Sequence, residues 1–280
     1  IHDIRERKQE IMAFLHQISS DTKKEEAIPV APIQEDYALS AAQQSLWIIN
    51  RLENDSKAYN MHGTYKFNGD LNVSALERAF AALIERHEIL RTVFRVNDQG
   101  LPRQVVLSPE TCGHKFNTVD LTESEDSEAE MKSQLSEVSR EPFDLGEGPL
   151  LRVTLYKHSD QDYFLSYMLH HILTDGWSMK VMLKDVMTLY AAFDAGQENP
   201  MAPLRIQYKD YSEWQKEQLN GDNLANHRSF WENQFQGEIP ILNVEGDFSR
   251  PLIKTSNGGN IGRVMNCLLY TSDAADEHSW

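Results

Sequence analysis

Two adjacent histidines, His170 and His171, are followed within a few residues by an acid and a glycine, Asp175 and Gly176. An imidazole changes its charge near neutral pH, so it can accept or donate a proton, and a nearby carboxylate can order the loop that carries it. Consecutive side chains of a strand point to opposite faces. The two histidines therefore cannot serve one site, and we expect one to anchor in the core while the other faces open space.

The elements around this motif are predicted to be a strand and a helix. Residues 163–169 are apolar and aromatic, as in a buried strand, and residues 178–193 place apolar side chains at helical spacing. The motif then lies on a strand-to-helix turn, where Gly176 permits a tight bend and the close approach of a ligand. Two core histidines beside an ordinary turn are the simpler alternative. Metal binding is disfavoured, because no two histidines share one helix face at the spacing of a zinc site.

Composition limits the classes of function. The chain has 280 residues, 40% hydrophobic and 25% charged, which is typical of a soluble globular protein of one large or two small domains. A net charge of -16 argues against nucleic acid or an anionic membrane as the main partner. No apolar run reaches transmembrane length. Two cysteines are too few for a disulfide framework, so we predict a reducing, cytoplasmic location.

Three segments are predicted along the chain. Residues 1–36 form an amphipathic helix and a polar linker, residues 37–259 form the main domain, and residues 260–280 form a truncated end. The first residue is Ile1 rather than Met, so the chain is expected to be a fragment. Residues 267–277 resemble a translated sequencing adaptor and are therefore not expected to be part of the fold.

Within the main domain, local signals predict caps and hairpins. Ser40 is the expected N-cap of a helix whose third residue is Gln43, and Asn72 caps a second helix. Residues 92–96 with 104–107, and 150–157 with 163–169, are predicted hairpins. The acidic residues 122–130 suit the first turns of a helix, where the dipole favours negative charge.

Two arginines, Arg86 and Arg91, end the second helix and precede a predicted core strand. A partly buried guanidinium needs a carboxylate partner. Asp175 is the candidate partner for Arg91.

Five motifs follow one another along the chain, at residues 40–47, 86–94, 170–176, 208–214 and 247–251. With these motifs in this order, the chain resembles the condensation domains of nonribosomal peptide synthetases. The resemblance spans about residues 37–259 and departs at Ser45, where the family usually has arginine. It implies an α/β (α+β two-layer) fold, a chloramphenicol acetyltransferase-like lobe with a mixed β-sheet flanked by helices, and a second lobe that is missing from this sequence.

The resemblance implies amide bond formation between two thioesters, which peptidyl carrier domains bring on phosphopantetheine arms. His171 is then catalytic, either deprotonating the attacking amine or hydrogen-bonding it and stabilising the tetrahedral intermediate. Around it the resemblance implies structural roles for His170, Asp175, Gly176, Arg91 and Arg86, with Asp175 held by an arginine and Gly176 admitting the thioester arm. It implies a channel-side position for Trp177, Ser178, Ser40 and Gln43.

The implied partners are an upstream donor carrier domain, a downstream acceptor carrier domain and an adjoining adenylation domain, with no metal and no directly bound cofactor. Three alternatives stay open at this point. The chain could be a starter, cyclising or epimerising relative, a coenzyme A-dependent acyltransferase of the same superfamily, or a carrier-binding module without catalysis. By itself, the half-domain is expected to be inactive, because half a channel positions only part of the substrates.

Overall fold

The computed structural model describes residues 8, 12, 27–52, 57–240, 248 and 261. The chain divides into two compact units, residues 1–239 and 240–280. Nearly all of the second unit lies outside the described residues.

The described part of the first unit alternates strands and helices. Short 3-10 turns at Lys57–Tyr59 and Glu88–Arg91 precede two of the strands. In chain order the longer elements are β1 (Tyr37–Ala38), α1 (Ala41–Leu52), β2 (Asn60–Asn68), α2 (Val73–Arg86), β3 (Thr92–Val96), β4 (Pro102–Val106), β5 (Phe116–Asp120), α3 (Ser127–Arg140), β6 (Leu151–Ser159), β7 (Asp162–His170), α4 (Gly176–Asp194), α5 (Tyr208–Gln218) and α6 (Gly221–Gln234).

The strands form two sheets. A four-stranded sheet has the order β2-β7-β6-β5, in which β5 runs parallel to β6 and the other pairs are antiparallel. A separate three-stranded antiparallel sheet has the order β1-β4-β3. Both predicted hairpins are confirmed, as β3–β4 and β6–β7. Strands β1 and β5 were not predicted, because a short strand with a distant partner leaves little periodic signal in the sequence.

The core lies on both faces of the four-stranded sheet. Helices α2 and α4 cover one face, where Leu76 and Leu83 pack with Leu155 of the sheet and Leu189 of α4. A smaller cluster on the other side contains Met168 of β7. The alternation of side chains along β7 therefore supplies two cores, and the strand is buried on both faces at its end.

The predicted helix caps are confirmed. The Asn72 side chain accepts a hydrogen bond from the Ala75 amide at the start of α2. Asp126 caps α3 in the same way, with Glu128 and Glu130 in its first turn. The acidic stretch therefore belongs only partly to the helix: residues 122–126 precede it, and Glu128 and Glu130 lie in its first turn, where negative charge offsets the helix dipole.

Several predictions concern residues outside the described part of the chain. Of the predicted N-terminal helix only Lys8 and Met12 are described, and both are helical. Of the motif at residues 247–251 only Phe248 is described, and the adaptor-like tail is not described at all. The boundaries at residues 36 and 259 stay predictions. Among the described helices, none has the length and hydropathy needed to cross a bilayer.

Candidate active site

His170 is the last residue of β7, and its imidazole is sealed in the core. It is 1% exposed, and its ring centroid is 6.5 Å from that of Tyr59 and 6.3 Å from that of Phe143. Its Nδ1 accepts a hydrogen bond of 3.1 Å from the Ile172 amide, so its proton is on Nε2. Burial, with a smaller effect of the charge on His171, lowers the pKa of His170 to about 4. His170 is therefore neutral at pH 7 and shapes the turn.

His171 is the first residue of the turn and is partly exposed. Its amide donates 2.8 Å to the Tyr59 carbonyl, and its carbonyl accepts 3.3 Å from the Thr174 amide. Both bonds fix the backbone and leave the ring free to face a cavity of about 440 Å³, whose wall includes His171. Within the part of the chain that the structure describes, no hydrogen bond engages this ring. The two imidazoles are thus separated as predicted, because His170 ends β7 and His171 begins the turn.

The predicted ion pair between Asp175 and Arg91 is wrong. Asp175 is the N-cap of α4, and its Oδ1 accepts from the Ser178 amide at 2.8 Å and from the Ser178 hydroxyl at 2.6 Å. These two bonds, the hydroxyl bond first, lower the pKa of Asp175. Among the described arginines, none lies within ion-pair distance of it. A partner three residues away is reached with less ordering of the chain than a distant guanidinium, so the local cap prevails.

Arg91 is paired with groups on the 3-10 turn and at the end of the β3–β4 hairpin. Its guanidinium donates to the Leu107 carbonyl and lies 3.7 Å from the Glu88 carboxylate. It neither borders the cavity nor contacts the motif loop. Arg91 therefore joins the 3-10 turn to the end of the β3–β4 hairpin.

Arg86 is the arginine that reaches α4, through a different acid. Its Nε donates to Oδ2 of Asp185 at 3.2 Å, and Nε2 of His87 is 2.8 Å from the same oxygen. The Arg86 and Asp185 side chains are only 14% and 9% exposed. The expectation that a partly buried guanidinium pairs with a carboxylate therefore holds for Arg86, whose partner is Asp185 and not Asp175. This contact fastens α4, and with it the turn, to the end of α2.

Ser40 and Gln43 form the predicted reciprocal cap of α1. The Ser40 amide donates 3.1 Å to Gln43 Oε1, and the Gln43 amide donates 3.2 Å to Ser40 Oγ. Gln43 borders the cavity, whereas Ser40 lies behind it and contacts the Tyr208 hydroxyl at 3.0 Å. Of this predicted pair, only Gln43 borders the cavity.

The other predicted residues differ in where they lie. Trp177 and Ser178, on the first turn of α4, border the cavity, and Trp177 is 76% exposed at its rim. Gly176 is exposed, and a Cβ there would meet nothing within 4 Å. The folded chain alone therefore does not require glycine at this position, although a glycine leaves more room for a ligand.

Helix α5 contributes site residues that the sequence did not indicate. Tyr208 and Tyr211 border the cavity, and Gln207 precedes them on the same wall. From sequence alone, an aromatic pair at helical spacing is the ordinary signature of a packed core face rather than of a binding site. Burial raises the pKa of Tyr208, so its hydroxyl stays protonated at neutral pH and can donate.

A set of carboxylates and an amide on α5 holds the segment before α1. Asp210 accepts from the Ala31 amide at 2.9 Å, Glu213 from the Ala38 amide at 2.6 Å, and Gln215 from the Ala41 amide at 2.8 Å. The motif at residues 208–214, with the adjacent Gln215, thus binds the backbone that leads into the motif at residues 40–47. In this way α5 and α1 enter the cavity wall together.

The cavity has an imidazole without a bonded partner among the described residues, apolar walls and two phenols. It could hold a neutral or cationic amine beside His171, which would accept a proton or a hydrogen bond from it. The negative charge of Asp175 on the same wall favours a cation over an anion. Among the residues that the structure describes, no group of three His, Cys, Asp or Glu side chains could hold a metal ion.

Comparison with protein families gives a match between residues 33–261 and the model described as "Condensation domain". A linear gramicidin synthase of Brevibacillus parabrevis is 38% identical over 253 residues, which are 88% of this chain and 3% of that protein. Malpinin synthetase of Mortierella alpina is 34% identical over 255 residues, 90% of this chain and 3% of that protein. Bacitracin synthase 2 of Bacillus licheniformis is 36% identical over 245 residues, 88% of this chain. The chain spans only 9% of that last protein.

Solved structures give the same fold. The X-domain in complex with OxyB from teicoplanin biosynthesis is 27% identical, with a TM-score of 0.69, and the match covers 81% of this chain and 49% of that chain. The starter condensation domain of rhizomide synthetase RzmA is 24% identical, with a TM-score of 0.66, over 73% of this chain and 49% of that chain. The predicted lobe, with mixed sheet and flanking helices, is confirmed.

Proposed function

Because this chain belongs to the condensation domain family of nonribosomal peptide synthetases, we propose that it carries the catalytic histidine of a peptide-bond-forming site. The substrates are an acyl or peptidyl thioester as donor and an aminoacyl thioester as acceptor. The amine attacks the thioester carbonyl, the tetrahedral intermediate collapses, and the thiolate leaves as the amide forms. The amine proton passes to a base or to the departing sulfur.

The observation that carries this proposal is the separation of the two imidazoles by β7. His170 is buried and neutral, and it is bonded to the loop backbone. His171 borders the cavity with its ring nitrogens unbonded among the described residues. His171 is therefore the group in this loop that can take a hydrogen bond or a proton from an incoming amine. Whether it acts as a base or as an orienting group, the contact is with the same amine.

The partners of this activity follow from the substrate class. Donor and acceptor arrive on phosphopantetheine arms of an upstream and a downstream peptidyl carrier domain, and an adjoining adenylation domain selects the acceptor. A cavity of about 440 Å³ with an apolar wall suits the end of such an arm together with a small side chain. A cytoplasmic location, where thiols stay reduced, suits substrates carried on a thiol.

A second lobe belongs to this proposal. The match covers about half of each of the two solved relatives, so we propose that the other wall of the channel comes from a lobe outside this sequence. The lobe alone should then be inactive, because one wall cannot position two thioester arms.

The test is the change His171→Ala in the complete condensation domain, with two carrier proteins loaded with donor and acceptor. We expect the rate of dipeptide formation to fall by about 10²-fold or more, the contribution of a positioned acid or base. His62→Ala is the matched control, because His62 is an exposed histidine of β2 outside the cavity. Near-normal turnover in His171→Ala, with the control also active, would refute the proposal.

A second candidate is a binding module without catalysis. It is favoured by the X-domain, a 27% identical relative whose solved structure is a complex with another protein, OxyB. Binding of carrier proteins without turnover in the complete domain would support this candidate. A coenzyme A-dependent acyltransferase would instead use a soluble acyl-coenzyme A and need no carrier.

A further inference from the structure

The side-chain amide of Gln43 has a hydrogen bond at its oxygen, and its nitrogen has no partner among the described residues. Its Oε1 accepts the Ser40 amide, which closes the cap of α1 and sets the orientation of the amide plane. The opposite end, Nε2, is buried and has no hydrogen-bond partner among the described residues. The whole residue is 1% exposed. An amide nitrogen in this position is a donor without an acceptor, which native proteins rarely tolerate without a reason.

The same residue belongs to the cavity wall that includes His171. Gln43 and Leu46, one turn apart on α1, border the cavity, and Tyr208 borders it from α5. Tyr208 also holds Ser40, the other half of the cap, at 3.0 Å. The position of the unpaired nitrogen is therefore fixed by two elements that both form the site.

We propose that Gln43 is a positioning residue whose Nε2 donates a hydrogen bond to a carbonyl oxygen of the acyl-pantetheine arm inside the cavity. The inference rests on the proposed function and adds a named contact to it. The nitrogen is screened from solvent when the cavity is unoccupied, so the wall must shift slightly as the arm enters. That shift exchanges an unpaired donor for a bonded one.

A neutral carbonyl fits better than an anion. The amide carries no charge to attract an anion, Asp175 places a negative charge on the same wall, and the chain has a net charge of -16. Carbonyl oxygens occur both in the amides of the pantetheine arm and in the acyl thioester. Both sources present the same acceptor chemistry, and substrates that differ in these carbonyls distinguish them.

The test uses the complete condensation domain with donor acyl thioesters on full pantetheine and on N-acetylcysteamine, which keeps the amide nearest the sulfur and lacks the farther one. Gln43→Glu keeps an oxygen for the Ser40 amide but loses the donor, and Gln43→Met loses both. Gln44→Met is the control, because Gln44 is the exposed neighbour outside the cavity. We expect KM to rise about tenfold in both Gln43 variants, with a smaller change in kcat, as for one lost neutral hydrogen bond. The control should match wild type.

The source of the carbonyl follows from the substrate pair. If the partner is the amide far from the sulfur, the rise in KM appears with full pantetheine and disappears with N-acetylcysteamine. If it is the nearer amide or the thioester carbonyl, the rise appears with both. An unchanged KM in Gln43→Glu with both substrates would overturn the inference, as would an equal rise in Gln44→Met.

A binding measurement keeps the inference separate from the proposed function and from any misfolding of the variants. Calorimetry on the folded wild-type domain compares unreactive acyl-pantetheine analogues with matched neutral compounds that lack one carbonyl at a time, with an alkene in place of an amide or a thioether in place of the thioester. A tenfold weaker affinity for one carbonyl-free analogue, with the difference lost in Gln43→Glu, identifies the bonded carbonyl and supports the contact even if no dipeptide forms. Equal affinity of the wild type for the two compounds of every pair overturns it.

Discussion

Asp185 is the acid whose removal should destabilise this lobe most clearly. Its Oδ2 accepts a hydrogen bond from Arg86 Nε at 3.2 Å and lies 2.8 Å from His87 Nε2. The Arg86 and Asp185 side chains are almost buried. The change Asp185→Ala leaves the guanidinium without a carboxylate in a poorly solvated place. Removing one partner of a buried pair costs about 3–5 kcal/mol, because the remaining charge stays desolvated.

The comparison with Asp175→Ala makes the prediction specific. Asp175 is exposed and caps a helix, so its removal should cost about 1 kcal/mol. The solved starter condensation domain is about twice as long as the part of it that this chain matches, which gives about 1 °C per kcal/mol for a complete domain. Asp185→Ala should therefore lower Tm by about 4 °C and Asp175→Ala by about 1 °C. The order of the two losses follows directly from which acid holds the arginine.

Thermal unfolding of the complete domain, followed by circular dichroism, measures both shifts. Asp194→Ala is the control, because this exposed acid of α4 bonds the Asn72 side chain at the surface, at 3.0 Å. A double change, Asp185→Leu with Arg86→Met, should recover most of the loss, since a buried ion pair can be replaced by apolar groups. A loss in Asp175→Ala as large as that in Asp185→Ala would show that the assignment of the buried charge partner is wrong.

Three further predictions concern the turn and the sheet. The folded-state pKa of His170 is about 4, below its ordinary 6.5, so the unfolded chain binds more protons between these values. The contribution of His170 to the free energy of unfolding should therefore be fully present above pH 6.5 and fall by about 1 kcal/mol per pH unit on acidification towards pH 4. Urea titrations at several pH values measure this slope. The slope should be absent in His170→Asn. Ser178→Ala removes the first cause of the lowered pKa of Asp175, so a carboxyl titration by NMR should show that pKa rise towards its ordinary value. Gly63→Ala should cost about 1–3 kcal/mol in urea unfolding, because the added Cβ would lie 2.1 Å from the Tyr167 hydroxyl; an unchanged midpoint would mean that the ring moves freely.

The parts of the site that obey a local rule were predictable from the sequence. Strand alternation predicts opposite directions for the side chains of His170 and His171. In the structure they are separated at the place where β7 ends, since His170 is its last residue and His171 begins the turn. The cap formed by Ser40 and Gln43 needs only residues three positions apart. The hairpins and the long helices follow for the same reason, since their signals repeat within a short window.

Only the tertiary structure decided which distant groups meet. Asp175 was expected to bind Arg91, but it takes the hydroxyl three residues ahead, while Arg86 reaches Asp185, which is 99 residues further along the chain. The contact of Tyr208 with Ser40 likewise joins residues that no local pattern relates. These pairings depend on how helices α1, α2, α4 and α5 pack on the sheet, and packing is set by the whole core rather than by any short stretch of sequence.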